Sequence, residues 1–167
     1  EALSALPLEG TDPPDRICEQ VGALLYRRTP PEKYATAFLG AFDPETGALS
    51  WTNAGHNPAL LLRASGPREW LKACGVPLGL IPGARYATNV TTMEPGDALL
   101  VYTDGITEAL NPEDEEFGEA RLVEAAARHS HLPLREMAAG LEKELDAFAR
   151  GVPFHDDRTL VIVRRSR

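Results

Sequence analysis

Glycine and proline interrupt this chain at short intervals, 14 of each among 167 residues, and no stretch between them is long. Such punctuation suggests many short elements joined by tight turns. The clearest case is Asp43-Pro44-Glu45-Thr46-Gly47, where proline presets a turn and glycine is free to take positive φ. It predicts a hairpin joining strands over 34–42 and 48–53. A second hairpin is expected for 59–63 and 68–72 around Ser65-Gly66-Pro67. Residues 86–93, rich in Thr and Val, read as a strand turned by Glu94-Pro95-Gly96-Asp97 into 98–103, an apolar run suited to a buried central strand.

Helical periodicity appears only near the two ends. Ile17, Val21, Leu24 and Leu25 share one helix face, with Asp12 as the expected N-cap and Pro13 in the first turn. That helix ends before Thr29-Pro30-Pro31. Glu1 to Leu6 resemble the tail of an earlier helix, followed by a loop over 8–12. A helix is expected over 118–128, carrying Leu122, Val123 and Ala126. Another carries the stripe Leu134, Met137, Leu141, Leu145 and Phe148. Residues 159–163 form a final β-branched strand. Hairpins outnumber βαβ units, so the class is α+β with helices packed on antiparallel sheets.

The chain is long enough for one domain with a proper core. A net charge of −8 argues against a general nucleic-acid or anionic-membrane binder, which needs a basic face. No apolar run approaches the length of a membrane span. Cys18 and Cys74 are too few for a disulfide framework or a four-thiolate zinc site, and reduced cytoplasmic thiols are the default expectation. The first residue is Glu1 rather than Met, which predicts a chain processed or cut from something larger.

Two acidic motifs flank predicted strands. Thr103-Asp104-Gly105 follows Leu99-Leu100-Val101-Tyr102, and Asp156-Asp157-Arg158-Thr159 precedes the last strand. Both strands are expected to be central. If they are antiparallel neighbours, Asp104 and Asp156 face each other at one sheet end. Facing carboxylates repel unless a cation lies between them, and Mg²⁺ or Mn²⁺ takes such hard oxygens. The structural alternative is a common Asp-Gly turn and a loop-capping acid pair. Asn53-Ala54-Gly55-His56-Asn57-Pro58 reads as a polar hinge, with a His56 that bonds backbone or touches a ligand. His129 and His131 flank a helix end, where positive charge is favourable. His155 stands beside the acid pair, as a loop residue or an assistant to a site. No Ser-His-Asp or Cys-His arrangement and no phosphate-cradling glycine loop is evident.

Ala54-Gly55-His56-Asn57-Pro58, Gly75-Val76-Pro77-Leu78-Gly79, Pro95-Gly96-Asp97, Tyr102-Thr103-Asp104-Gly105-Ile106-Thr107-Glu108-Ala109, Phe117-Gly118 and Asp156-Asp157-Arg158-Thr159 occur in this order. The series, spanning about 12–163, resembles the metal-dependent, protein phosphatase 2C-like enzymes of the bacterial SpoIIE/RsbU branch. The resemblance implies an α-β-β-α four-layer sandwich of two antiparallel sheets flanked by helices. It implies a single phosphatase-like domain over 1–167, with its N-terminal part missing. It also implies hydrolysis of phosphoserine or phosphothreonine in a protein by water activated on two Mn²⁺ or Mg²⁺ ions. Asp104 and Asp156 match metal-ligand, catalytic aspartates, and Asp157 a further metal ligand. Glu108 and the Gly75 to Gly79 segment match structural or regulatory motifs.

The implied partners are a phosphorylated anti-sigma-factor antagonist, an upstream sensor domain or activator, and a second copy in a homodimer. The implied setting is a cytoplasmic partner-switching pathway controlling a stress or developmental response. The family's first acidic motif, Asp-x-x-Gly-His-Gly, does not occur in this sequence. A truncated chain is therefore expected to show poor metal occupancy, little activity and an unpaired sheet edge. The alternatives are a non-catalytic regulatory or binding relative, and an unrelated metal-dependent phosphohydrolase acting on a small molecule.

Overall fold

The computed structural model describes residues 12–66 and 68–166. The helix tail and most of the loop expected before Asp12, and Pro67 of the second hairpin turn, lie outside the described residues. The elements are α1 (Pro14–Arg28), β1 (Ala37–Phe42), β2 (Ala48–Ala54), β3 (Ala59–Leu62), β4 (Arg68–Leu71), β5 (Asn89–Thr92), β6 (Ala98–Tyr102), α2 (Asp104–Thr107), α3 (Gly118–His129), α4 (Leu134–Ala149) and β7 (Leu160–Arg164). The class is α+β, with two antiparallel sheets and flanking helices. Among the described residues no helix is long and apolar enough to cross a membrane.

The chain divides into two compact units, each discontinuous in sequence. The first comprises the described residues up to Pro58 together with Leu71–Met93. It holds α1 and a three-stranded sheet of order β1-β2-β5. The β1–β2 hairpin forms as its turn chemistry dictates: the Asp43 N–H donates to Ala48 O at 2.8 Å, and Gly47 takes φ 79°. Asp43 Oδ1 accepts from Glu45 N at 2.9 Å, an Asx turn that stiffens the loop. Helix α1 differs from expectation at its start. Its N-cap is Pro13, with no side-chain cap bond, and Asp12 instead pairs with Arg16 one turn on, at 3.4 Å. Pro13 and Pro14 have no N–H to satisfy, and the Asp15 N–H of the first turn finds its side-chain acceptor outside the helix, in Thr88 Oγ1 at 3.1 Å. Thr29 ends the helix, its N–H and Oγ1 both donating to Leu25 O.

Around Gly75 the backbone runs against an aromatic ring. A Cβ there would lie 2.4 Å from Tyr86 Cδ1, so the segment tolerates no side chain. The Gly75 to Gly79 motif thus does a packing job in this unit. The His56 ring Nδ1 lies 3.1 Å from Thr36 Oγ1, and its backbone N–H donates to Asn53 Oδ1.

The second unit comprises Ala59–Trp70 and the described residues from Glu94 onward. Its sheet has the order β4-β3-β6-β7. All four residues of β3 are buried, as are Ala98, Leu99, Leu100 and Tyr102 of β6. Burial on both faces is why these strands read as continuous apolar runs rather than alternating ones. The core joins Leu60, Leu62, Leu100 and Tyr102 to Leu122, Met137, Leu141 and Leu145 of α3 and α4. Each such side chain contributes about 1.5–3 kcal/mol on burial. The α4 stripe is core in its middle, whereas Leu134 at its start is 37% exposed.

Two expectations need correction here. Among the described residues strand β6 is central, but β7 is an edge strand, with Val161 50% and Val163 44% exposed. A β-branched run reads the same on an edge as in the middle of a sheet, so the sequence pattern did not separate them. Asp104-Gly105 is also not a plain turn: Asp104 opens the one-turn helix α2.

Candidate active site

Strands β6 and β7 are antiparallel, with Tyr102 opposite Leu160 and Ala98 opposite Arg164. The C-terminal end of β6 therefore meets the N-terminal end of β7, as the placement of the two acidic motifs anticipated. The pairing continues past the strands: the Thr103 N–H donates to Thr159 O at 3.1 Å. Thr103 Oγ1 then fastens the junction twice. It donates to Asp157 O at 2.9 Å and accepts from the Thr159 N–H at 2.9 Å. Gly105 completes the approach, since a Cβ there would lie 2.7 Å from Asp157 O and 3.1 Å from Asp156 O. Only a residue without a side chain lets the 156–157 backbone pass this closely.

Asp104, Asp156 and Asp157 are thus carried by one backbone junction, and all three are exposed. Asp104 follows Thr103, the N-cap of α2. Its Oδ1 accepts from the Gly105 N–H at 3.0 Å, and its carbonyl accepts from the Glu108 N–H at 2.8 Å. Glu108 is the C-cap of that turn. Among the described residues none of the three aspartates pairs with a cation. The neighbouring Arg158 turns away, bonding Asp146 Oδ1 at 3.1 Å and stacking 3.6 Å from the Phe154 ring centroid. His155 is exposed beside them.

Uncompensated carboxylates at one water-exposed junction suit a hard divalent cation in kind. They do not complete a site in number, because among the described residues no three His, Cys, Asp or Glu side chains gather as a metal-binding group. Two residues that sequence reasoning passed over hold the junction together, Thr103 and Gly105. The signal was present in the tripeptide itself: a hydroxyl before the acid and a glycine after it, at a strand end.

Neither cysteine belongs to this junction. Cys74 Sγ accepts from the Asn53 N–H at 3.3 Å, and Cys18 is a buried free thiol of the first unit. Burial, with Cys74 and Asp15 nearby, pushes the Cys18 thiol up to about 11, which makes it a poor nucleophile.

Comparison with known proteins adds an independent line. A family model described as Stage II sporulation protein E (SpoIIE) matches residues 1–166. Protein IcfG of Synechocystis sp. is 34% identical over 133 residues, 80% of this chain and 21% of that protein. Phosphoserine phosphatase RsbU of Bacillus subtilis is 22% identical over 165 residues, 98% of this chain and 48% of that protein. The chain therefore spans between about a fifth and a half of these curated relatives. Among solved structures, the SiaA-PP2C domain of Pseudomonas aeruginosa shares the fold with a TM-score of 0.83 at 20% identity, covering 98% of this chain and 64% of that one.

Proposed function

The chain belongs to the Stage II sporulation protein E family, in its PP2C-like SpoIIE/RsbU branch, and from that premise we propose that it is a serine/threonine phosphatase domain acting on a phosphoprotein. The single observation that carries the reading is the β6–β7 junction, which brings Asp104, Asp156 and Asp157 to one exposed sheet end without a neutralising partner. In this reading 1–167 is one phosphatase-like domain. Asp104 and Asp156 are its catalytic carboxylates, and all three aspartates donate oxygens to Mn²⁺ or Mg²⁺ in a set that further donors complete. What such ions supply when bound is an acidified water and compensation of phosphoryl charge. The chain's own residues do the positioning. Thr103 and Gly105 fix the spacing of the two acidic segments, and α2 starts Asp104 at a defined point on the rim. No cysteine or serine nucleophile is called for.

The proposed substrate is a phosphorylated anti-sigma-factor antagonist in a cytoplasmic partner-switching pathway, with a sensor domain or activator upstream and a homodimer as the working form. Likeness to a protein named phosphoserine phosphatase RsbU supports the phosphoserine class of substrate. A second reading is a non-catalytic relative that keeps the fold, and the incomplete donor set among the described residues favours it. One experiment separates the two. The chain, alone and within any longer polypeptide that contains it, is assayed on p-nitrophenyl phosphate and on a phosphoserine protein, with Mn²⁺, with Mg²⁺ and with chelator. Metal-dependent release of phosphate that Asp104→Asn removes supports the phosphatase. Inertness of both forms toward both substrates sinks it, and preference for a free metabolite redirects it to small-molecule hydrolysis.

A further inference from the structure

The second unit contains a cavity of about 410 Å³ that the junction of aspartates does not use. Its apolar walls come from Ile106, Phe117, Leu122, Leu141, Leu145 and Leu160. The volume lies in the range of pockets that enclose small ligands. The walls cannot bond water, so a wetted cavity there gains by exchanging water for an apolar chain.

Three charged side chains also line the cavity: Arg135 and Glu142 from α4, and Arg158. They are not equivalent. Arg158 is already occupied by Asp146 and by the Phe154 ring. Arg135 has no hydrogen-bond or ion-pair partner among the described residues, and its planar guanidinium is suited to a carboxylate held by two parallel bonds. Glu142 lies two helical turns further along α4, about 10 Å by helical rise. Its negative charge on the same lining disfavours a second anionic group in the cavity.

We propose that this cavity binds an amphipathic monoanion, a single carboxylate-like head on Arg135 with an apolar tail laid over the leucines. The ligand is therefore neither a dianion nor a neutral alcohol. Binding here stands apart from the hydrolase reading, since none of the three aspartates lines the cavity.

The test uses the whole chain and isothermal titration calorimetry with sodium decanoate, decan-1-ol and disodium decanedioate, each below its aggregation limit. Decanoate is expected to bind at least tenfold more tightly than either of the others. Arg135→Gln should erase the preference over the alcohol. Ala139→Phe, which places a ring in the cavity from its wall, should block binding while the far-ultraviolet circular dichroism stays unchanged. Equal affinity for decanoate and decanol in the unaltered chain overturns the proposal. So does no binding of decanoate, or binding undiminished in folded Ala139→Phe. Should Ala139→Phe fail to fold, Arg135→Gln at the exposed start of α4 still decides, because retention of the tenfold preference in that variant also overturns it.

Discussion

Asp97 and Asp104 bracket the same strand, β6, and could hardly be more differently employed. Asp97 at one end is 1% exposed. Its carboxylate accepts from the Ala64 N–H at 2.8 Å, from the Glu94 N–H at 2.9 Å and from Arg63 Nη1 at 2.9 Å. Asp104 at the other end is exposed, and the one bond its carboxylate is given comes from the next residue's N–H. One carboxylate is consumed in fastening the loops that lead into β3–β4 and β6. The other is held in place by its backbone while its oxygens stay open. Buried acids with every oxygen satisfied serve stability, whereas acids presented without partners are available for chemistry.

Breaking the first end has the larger effect on the fold. Asp97→Ala takes the carboxylate acceptor from the Ala64 and Glu94 N–H groups and removes one of the partners of Arg63, which also bonds Glu69 at 2.7 Å. A loss of about 3 kcal/mol is expected in urea denaturation, with any metal-supported activity per folded molecule retained. A loss below about 0.5 kcal/mol would show that the knot is ornamental. At the other end the ranking inverts. Asp104→Asn is expected to lower kcat by about a hundredfold or more, while Tm moves by less than about 2 °C. A variant that melts early and keeps its turnover would exchange the roles of the two aspartates.

The contrast explains what could be read in the sequence. The antiparallel meeting of the two acidic motifs was legible, because an apolar run ending at Asp104 and a β-branched run starting after Asp157 are both local signals. The hairpin over Asp43 to Gly47 and the middle of the α4 stripe were legible for the same reason. The role of Asp97 was not. Pro95-Gly96-Asp97 reads as a turn, and the partner that defines the residue, Arg63, lies 34 positions away. Helix α2 escaped because four residues are too few to show a period. The edge position of β7 escaped because strand order is a property of pairing, not of composition. Asp12 misled as a cap because the side-chain acceptor for the first turn of α1 is Thr88 Oγ1, 73 positions from Asp15. Assignment of Asp104, Asp156 and Asp157 to a divalent ion came from family likeness together with carboxylate chemistry, and spacing alone supplied only their neighbourhood.

Gly105 allows the comparison to be sharpened without touching a charge. Gly105→Ala puts a methyl group 2.7 Å from Asp157 O and 3.1 Å from Asp156 O, both backbone atoms that cannot swing away. The two strand ends must part. Overpacking of this kind costs about 1–3 kcal/mol, and a small displacement of reacting groups costs about tenfold or more in rate. If the junction is the active rim, kcat falls more than stability predicts. Should activity per folded molecule be unchanged, the spacing of the acidic segments does not matter to catalysis.

The smallest effect is read through pH, and its sign follows from how Asp97 is held. Burial by itself would raise its pKa. The bonds from Ala64, Glu94 and Arg63 outweigh that and hold it below the ordinary aspartate value. A carboxyl held low in the folded chain stabilises it at any pH above the unfolded value of about 3.9. That contribution fades as pH falls from there through the folded value. Glu144 is held low in the same sense, by its bond from Arg128 against burial and with help from His129, so part of the acid limb belongs to the α3–α4 pair. Urea midpoints measured between about pH 5 and pH 3 should therefore fall less steeply in Asp97→Asn than in the unaltered chain, while still falling. Near pH 7 Asp97 and Glu144 add no slope to either midpoint, because both are ionised in the folded and the unfolded chain alike. Parallel acid limbs would mean that Asp97 gives up its proton as readily unfolded as folded. The three bonds that distinguish it from Asp104 would then contribute nothing through its charge.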